Sequence, residues 1–214
     1  MGQLRRTAPF STDWGFTRGL PIDRHYIESF LGQYSSDVQG RTLEVADASY
    51  TRRFGGSKVT QIDVLFAPVG DPGPEVTIIA DLVQGDAIPS NTFDCVILTQ
   101  TLLLVYDLKT AIRTVHRILK PGGVALVTVP GITPYNHRHT DTWGQYWSFT
   151  SRSMMALFGE CFPTAGLTVS SYGNVLTAAS FLYGLACEDL TPEELDAHHP
   201  DYEVIIALRA QKER

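Results

Sequence analysis

The sequence predicts an α/β fold in one domain, residues 1–214, built on a mostly parallel sheet. Strand-like and helix-like segments alternate along the chain, which is typical of βαβ units. Two strands, at the start of FDCVILTQTLLLV (93–105) and in GVALVTVP (123–130), are apolar without alternation. Strands of this kind are buried on both faces, as in parallel sheets that helices cover. No repeat or linker divides the 214 residues.

The elements follow in a regular order. Residues 1–20 lack periodicity, and helical spacing of apolar residues after Pro21 predicts a helix over 22–35. Residues 1–38 are therefore interpreted as an arm and a lid helix, and 40–212 as the core. Strands are predicted at 41–46, 57–64, 76–82, the start of 93–105, 123–130, 167–173 and within 201–212, and helices at 108–119, 151–158 and 175–185. The long segment 131–150 is polar, aromatic and aperiodic, and loops of that length are usually functional.

Composition excludes several classes of protein. The formal net charge is −6, which argues against a nucleic-acid partner. No apolar run is long enough for a membrane span, and the N-terminus lacks a signal-peptide core. Cys95, Cys161 and Cys187 are far apart in the sequence, which favours reduced thiols over a disulfide framework. We therefore expect a cytoplasmic protein without a membrane partner.

Acidic residues stand at the predicted ends of the first strands. Glu44 ends the first and Asp63 the second, 19 positions later. Ligands of open parallel sheets bind at the carboxyl ends of the strands, and an acid about 20 residues on can reach ribose hydroxyls. A carboxylate accepts both hydrogen bonds of a vicinal diol. The spacing thus indicates a nucleotide-like ligand, although acids in these places also cap helices and turns.

Three segments of the sequence resemble those of one known family. FDCVILTQTLLLVYD, RILKPGGVALVTVP and DTWGQYWSFTSRSMMALF, with its WxxYWxFT pattern, together resemble class I S-adenosylmethionine-dependent methyltransferases over residues 40–212. The resemblance implies a Rossmann-like, mostly parallel seven-stranded sheet with an antiparallel last strand and helices on both faces. It also implies S-adenosylmethionine as cofactor.

The same resemblance assigns cofactor contacts. Glu44 would lie at the methionine end, Asp63 with Val64 on the ribose, and Asp81 at the adenine amino group. Leu82 would pack on the adenine ring, and Thr99 and Gln100 would line the floor beneath the sulfonium. These residue types suit the task, because carboxylates accept from hydroxyl, amino and ammonium groups.

The sequence departs from the family in its first loop. Members usually carry ExGxGxG, whereas this chain reads Glu44-Val45-Ala46-Asp47-Ala48-Ser49-Tyr50. Glycine serves where φ is positive or where backbone approaches a ligand. Ala46, Asp47 and Tyr50 are still expected to contact the cofactor, with Tyr50 either lying over the ligand or reshaping the pocket.

The sequence says less about the part of the site where the methyl group would be transferred. Because methyl transfer is an in-line displacement, a base is needed only if the acceptor loses a proton. The candidate bases are His137, His139 and His25. His137, His139 and Asp141 lack a context that would orient metal ligands, so no metal is expected. Acceptor contacts are expected from the arm, the lid helix and the long loop, namely from Trp14, Arg24, Tyr26, Trp143 and Tyr146.

These observations favour a methyltransferase acting on a small-molecule or sugar-like acceptor. Two alternatives stay open. One is a binding or regulatory protein that kept the sheet, for which the glycine-free loop is the reason. The other is a different enzyme chemistry, in which Arg52 or Arg53 holds an anionic substrate. Homodimerisation also stays open.

Overall fold

A seven-stranded sheet forms the middle layer of the computed structural model, which describes residues 5–137, 141 and 143–214. The strands lie in the order β3-β2-β1-β4-β5-β7-β6. All pairs are parallel except those of β7, which runs antiparallel to both β5 and β6. The predicted sheet is thus confirmed. The strands are β1 Gly40–Val45, β2 Val59–Phe66, β3 Ile78–Ile79, β4 Phe93–Thr99, β5 Leu119–Pro130, β6 Leu167–Tyr172 and β7 Ile205–Gln211.

Helices cover both faces of the sheet. Along β4, Val96 and Leu98 pack into the apolar cluster of one face, while Cys95 and Ile97 belong to the cluster on the other face, beneath Phe30 of the first helix. This arrangement explains the unbroken apolar sequence of the strand. Within the described part of the chain, no helix is long and apolar enough to cross a bilayer. The helices are α1 Ile22–Gln33, α2 Leu108–Ile118, α3 Ser151–Phe158, α4 Val175–Leu182 and α5 Pro192–Asp196.

Two strand predictions need correction. β2 extends to Phe66 rather than ending near Asp63, because its parallel pairing with β1 continues to the Val45–Leu65 pair. β3 contains only Ile78 and Ile79 instead of spanning 76–82. The connection from β1 to β2 covers residues 46–58 and includes a π-helical turn over 51–55 and a 3₁₀ turn over 56–58. Because β2 ends two residues later than predicted, different side chains lie at the carboxyl edge of the sheet.

Candidate functional site

A cavity of about 1070 Å³ opens at the carboxyl edge of β1, β2 and β4. This is the edge at which parallel α/β sheets bind ligands. Its base is formed by the residues that follow the strands, and its outer wall by the arm, the first turn of α1 and the segment 143–146. The volume lies at the upper end of the range of about 300–1,000 Å³ usual for small-molecule sites.

The loop after β1 has the turn of a glycine-rich loop without its glycines. Ala46 has a φ of 76°, and its N–H donates to the carbonyl oxygen of Leu65 at 2.9 Å. This left-handed conformation disfavours a Cβ atom by about 1–2 kcal/mol, so glycine would be the relaxed choice. The substitution therefore preserves the backbone path and leaves Ala46 and Asp47 on the cavity wall.

Glu44 organises that loop. Its side chain is buried and accepts from the N–H groups of Tyr50 at 3.2 Å and Thr51 at 2.7 Å. Burial raises the pKa of Glu44 to about 7, although the two N–H groups oppose the shift. Glu44 also lines the cavity. It thus supports the loop and presents a carboxyl group to a ligand.

Tyr50 occupies the position of the family's third glycine without filling the hollow. Its ring lies on the cavity wall, with a centroid 6.1 Å from that of Phe54. Burial raises the pKa of the Tyr50 hydroxyl, while nearby Arg24 opposes the shift. The phenol therefore narrows the site from one side and leaves the volume beside it open.

Four further predicted cofactor residues meet at this edge. Asp81, Leu82, Thr99 and Gln100 all line the cavity. Asp81 Oδ1 accepts from the N–H of Val83 at 2.6 Å, which fixes the carboxylate in a turn. Gln100 has a φ of 49°, and its Nε2 is buried without a hydrogen-bond partner. A strained residue with an unpaired donor beside a cavity is typical of a ligand site.

Asp63 lies elsewhere, contrary to prediction. It sits in the middle of β2, where its carboxylate pairs with Arg41 Nε at 2.7 Å and accepts from Thr77 Oγ1 at 3.1 Å. Neither Asp63 nor Val64, which is a core residue, lines the cavity. The residues that do so at the end of β2 are Phe66 and Ala67. The expected ribose carboxylate is therefore replaced by an apolar wall.

We predict that Asp63→Ala will lower the free energy of unfolding by about 1–3 kcal/mol, because it leaves the Arg41 guanidinium partly buried and unpaired. Affinity for S-adenosylhomocysteine should stay within about twofold of wild type, since a change below 0.4 kcal/mol is expected for a side chain outside the cavity. Urea unfolding and calorimetric titration measure the two quantities. A large loss of affinity in a folded variant would contradict the assignment. Glu75→Ala, which breaks an exposed pair with Arg52, is the control and should change stability little.

Two of the three candidate histidines lie away from the cavity. His25 points to Asp196, with Nε2 2.9 Å from its carboxylate, and His137 is exposed with its ring against Tyr135. Neither lines the cavity, so the structure gives no support to a base at these two positions. For His137, the aperiodic loop gives no information on side-chain direction, and for His25 the direction depends on packing against Asp196 of another helix. His139 lies outside the described residues.

Most predicted acceptor contacts are brought together. Trp14, Arg24, Trp143 and Tyr146 line the cavity. Tyr26 does not. Its hydroxyl donates to the carbonyl oxygen of Leu195 at 2.9 Å, and its ring stacks on Tyr172. It is therefore a core residue, as its buried helical position would also allow.

The arginine pair is also misplaced for an anion site. Arg52 forms two hydrogen bonds to Glu75, and Arg53 pairs with Glu28. Neither arginine lines the cavity, so the geometry gives no support to an anionic substrate held by them. Among the residues described, no cluster of three or more potential ligands could hold a metal ion.

Sequence reasoning missed two features of the walls. Asp23, in the first turn of α1, lines the cavity and is 9% exposed. Tyr106 lines the rim, 72% exposed, and its ring stacks on Trp147, whose Nε1 donates to the carbonyl oxygen of Val105 at 2.9 Å. The sequence Val105-Tyr106-Asp107, which follows β4, could have indicated an aromatic residue at the rim. Asp23 had none, because an acid in a first helical turn is ordinary.

A family model described as a methyltransferase domain matches residues 41–127. A curated relative, the ubiquinone/menaquinone biosynthesis C-methyltransferase UbiE of Pasteurella multocida, is 36% identical over 72 residues. That alignment covers 34% of this chain and 25% of the relative, so the chain matches about a quarter of that protein's length.

Several solved structures are similar to this chain in fold. An S-adenosylmethionine-dependent methyltransferase from Archaeoglobus fulgidus has a TM-score of 0.58 at 10% identity, covering 88% of this chain and 94% of that one. The N-methyltransferase NodS of Bradyrhizobium japonicum, solved with S-adenosylhomocysteine, has a TM-score of 0.55 at 14% identity, covering 99% and 95%. The [4+2]-cyclase SpnF has a TM-score of 0.54 at 17% identity, covering 92% and 84%. At these identities the likeness shows the fold.

Proposed function

We propose that the chain is a class I S-adenosylmethionine-dependent methyltransferase, which binds S-adenosylmethionine in the cavity and transfers the methyl group to a small molecule. The observation that carries the proposal is the joint presence of Glu44, Tyr50, Asp81 and Gln100 around one cavity at the carboxyl edge of the sheet. An acceptor of small-molecule size is supported by the volume.

The chemistry of the walls fits this cofactor. The described charged residues of the cavity are five carboxylates and one guanidinium, at Asp23, Glu44, Asp47, Asp81, Asp107 and Arg24. S-adenosylmethionine carries a sulfonium, an ammonium and an adenine amino group, each of which favours a carboxylate, and one carboxylate, which favours a guanidinium. The aromatic face of Tyr50 would add about 0.5–2 kcal/mol if it lies beside the sulfonium.

The mechanism needs little from the protein beyond alignment. When bound, the cofactor supplies a methyl group on a positively charged sulfur. Asp81 and Leu82 would hold the adenine, and Glu44 the methionine end, in a loop fixed by its own hydrogen bonds to Tyr50 and Thr51. Trp14, Trp143 and Tyr146 would cover the reacting end and exclude water. Holding two reactants in line can supply about 7–11 kcal/mol of the barrier.

Thermal melting with S-adenosylmethionine and S-adenosylhomocysteine tests the binding step. A ligand at about 100 times its dissociation constant stabilises a protein by about 2.7 kcal/mol, so both should raise the melting temperature. Mass spectrometry of an acceptor library then tests transfer, with products heavier by one methylene. Absence of a shift at 1 mM of either ligand would overturn the proposal.

A different chemistry on the same scaffold is the second candidate. The observation in its favour is the apolar wall of Phe66 and Ala67 where a ribose carboxylate is expected, together with the likeness to a structure described as a cyclase. It predicts that the cofactor binds but is not consumed. Bound S-adenosylmethionine that stays intact with every acceptor in the library would favour this candidate.

We further propose a cytoplasmic location. Cys95, Cys161 and Cys187 are free, which suits a reducing compartment.

A further inference from the structure

One carboxylate of the cavity differs from the other four. Glu44 accepts from two backbone N–H groups, Asp47 from the N–H of Ser49 and Asp81 from that of Val83. Asp107 caps α2 by accepting from the N–H and the hydroxyl of Thr110. Asp23 is buried, and its Oδ1 has no hydrogen-bond partner. Burying a carboxylate oxygen without a partner is unfavourable, and native proteins rarely retain one without a use.

The local structure explains how Asp23 is held. Pro21 precedes α1 and offers no side-chain cap, so Asp23 lies at the second helical position, between Ile22 and Tyr26, which are buried in the core. The helix N-terminus favours a negative charge there. Burial nevertheless outweighs that effect and the neighbouring Arg24, and it raises the pKa of Asp23. The carboxyl group is therefore desolvated and able to take up a proton.

We propose that Asp23 Oδ1 binds the amino group of the methyl acceptor, so that the acceptor is an amine with an apolar or aromatic body. The inference rests on the proposed function and adds the substrate class to it. The amine matches the unpaired acceptor atom and the excess of carboxylates on the walls. The body matches Trp14, Trp143 and Tyr146. Among the described residues of the cavity, a phosphorylated or carboxylated acceptor would meet five carboxylates and one guanidinium, at Arg24.

The proton and electron transfers balance. Asp23 Oδ1 takes a proton from the bound ammonium, and the freed nitrogen lone pair attacks the methyl carbon. The carbon–sulfur bond breaks, and its electron pair stays on sulfur. The products are the thioether S-adenosylhomocysteine and the methylated ammonium. The proton on Asp23 passes to water when the product leaves. Asp23 is thus a catalytic residue that also binds the amine.

The first test needs no cofactor. If the buried Asp23 carboxylate, with Oδ1 unpaired, is kept for a ligand, Asp23→Asn should raise the melting temperature of the free protein at neutral pH by about 2–4 °C. The control Asp196→Asn removes an exposed carboxylate at the end of α5. This carboxylate contacts His25, which lies on α1 with Asp23, and its loss should leave the melting temperature nearly unchanged. A fall for Asp23→Asn would show that the carboxylate is structural and would overturn the proposal.

The second test uses 2-phenylethylamine and 2-phenylethanol as matched probes, titrated with and without S-adenosylhomocysteine. Wild type and Asp196→Asn should bind the amine about 10-fold or more tightly than the alcohol, and Asp23→Asn should lose that preference. Equal binding of both probes to wild type, or a preference that survives in Asp23→Asn, would overturn the proposal. Affinity for S-adenosylhomocysteine should be equal in all three proteins. If S-adenosylhomocysteine does not bind wild type, the proposed function fails, while the probe result still decides the role of Asp23.

Discussion

Raising the pH from 5 to 8 should lower the free energy of unfolding of wild type, relative to the Glu44→Gln variant, by about 2–3 kcal/mol. Burial raises the pKa of Glu44 from 4.5 to about 7 in the folded protein. A group with a raised pKa stabilises the fold fully below its unfolded pKa, and that stability is lost as the pH rises through the folded value. The window is therefore pH 4.5 to about 7. The variant cannot titrate there, so urea unfolding at several pH values isolates the contribution of Glu44.

Glu75→Gln is the matched control. A hydrogen bond from Arg52 lowers the pKa of Glu75, so its contribution is already complete above 4.5 and is lost only on acidification. Between pH 5 and 8 this variant should run parallel to wild type. Parallel curves for wild type and Glu44→Gln would instead show that the Glu44 carboxylate is not desolvated.

Asp81→Ala should weaken binding of S-adenosylhomocysteine by about 10- to 100-fold, the loss of one charge-assisted hydrogen bond of about 1.5–3 kcal/mol. The expectation follows from the place of Asp81 on the cavity wall beside Leu82. Because its Oδ1 also accepts from the N–H of Val83, unfolding must be measured in parallel. Asp81→Asn keeps that oxygen and should preserve the turn while still weakening binding.

Asp86→Ala provides the comparison for this site. Asp86 follows in the same segment, is exposed and does not line the cavity, so its loss should leave affinity unchanged. Equal affinity of the Asp81 and Asp86 variants would show that the adenine does not lie at Asp81.

The sheet, and the helices that cover both of its faces, could be predicted because both depend on local patterns of apolar residues. The unbroken apolar character of β4 indicates a strand with helices on both faces, and Val96 and Ile97 pack on opposite faces as that pattern requires. Glu44, near the end of β1, and Gln100, directly after β4, both line the cavity at the edge where the sequence places them. Their strands end where the apolar run ends.

The errors have a different physical origin. Asp63 was assigned to the strand end, but register in a parallel sheet is fixed by pairing with the neighbour, which carries β2 on to Phe66. Because β2 ends two residues later than predicted, Asp63 lies inside the strand and its side chain is away from the edge of the sheet. The directions of His25 and His137, and the burial of Asp23, depend on packing between distant segments. No local pattern encodes these contacts.

The structure of a complex with S-adenosylhomocysteine tests the central claim most directly. The account predicts density for the adenine against Leu82, with its amino group at Asp81, and the amino-acid end beside Glu44 and Tyr50. A saturated complex in which the ligand lies outside this cavity, or in which Tyr50 closes it, would contradict the account.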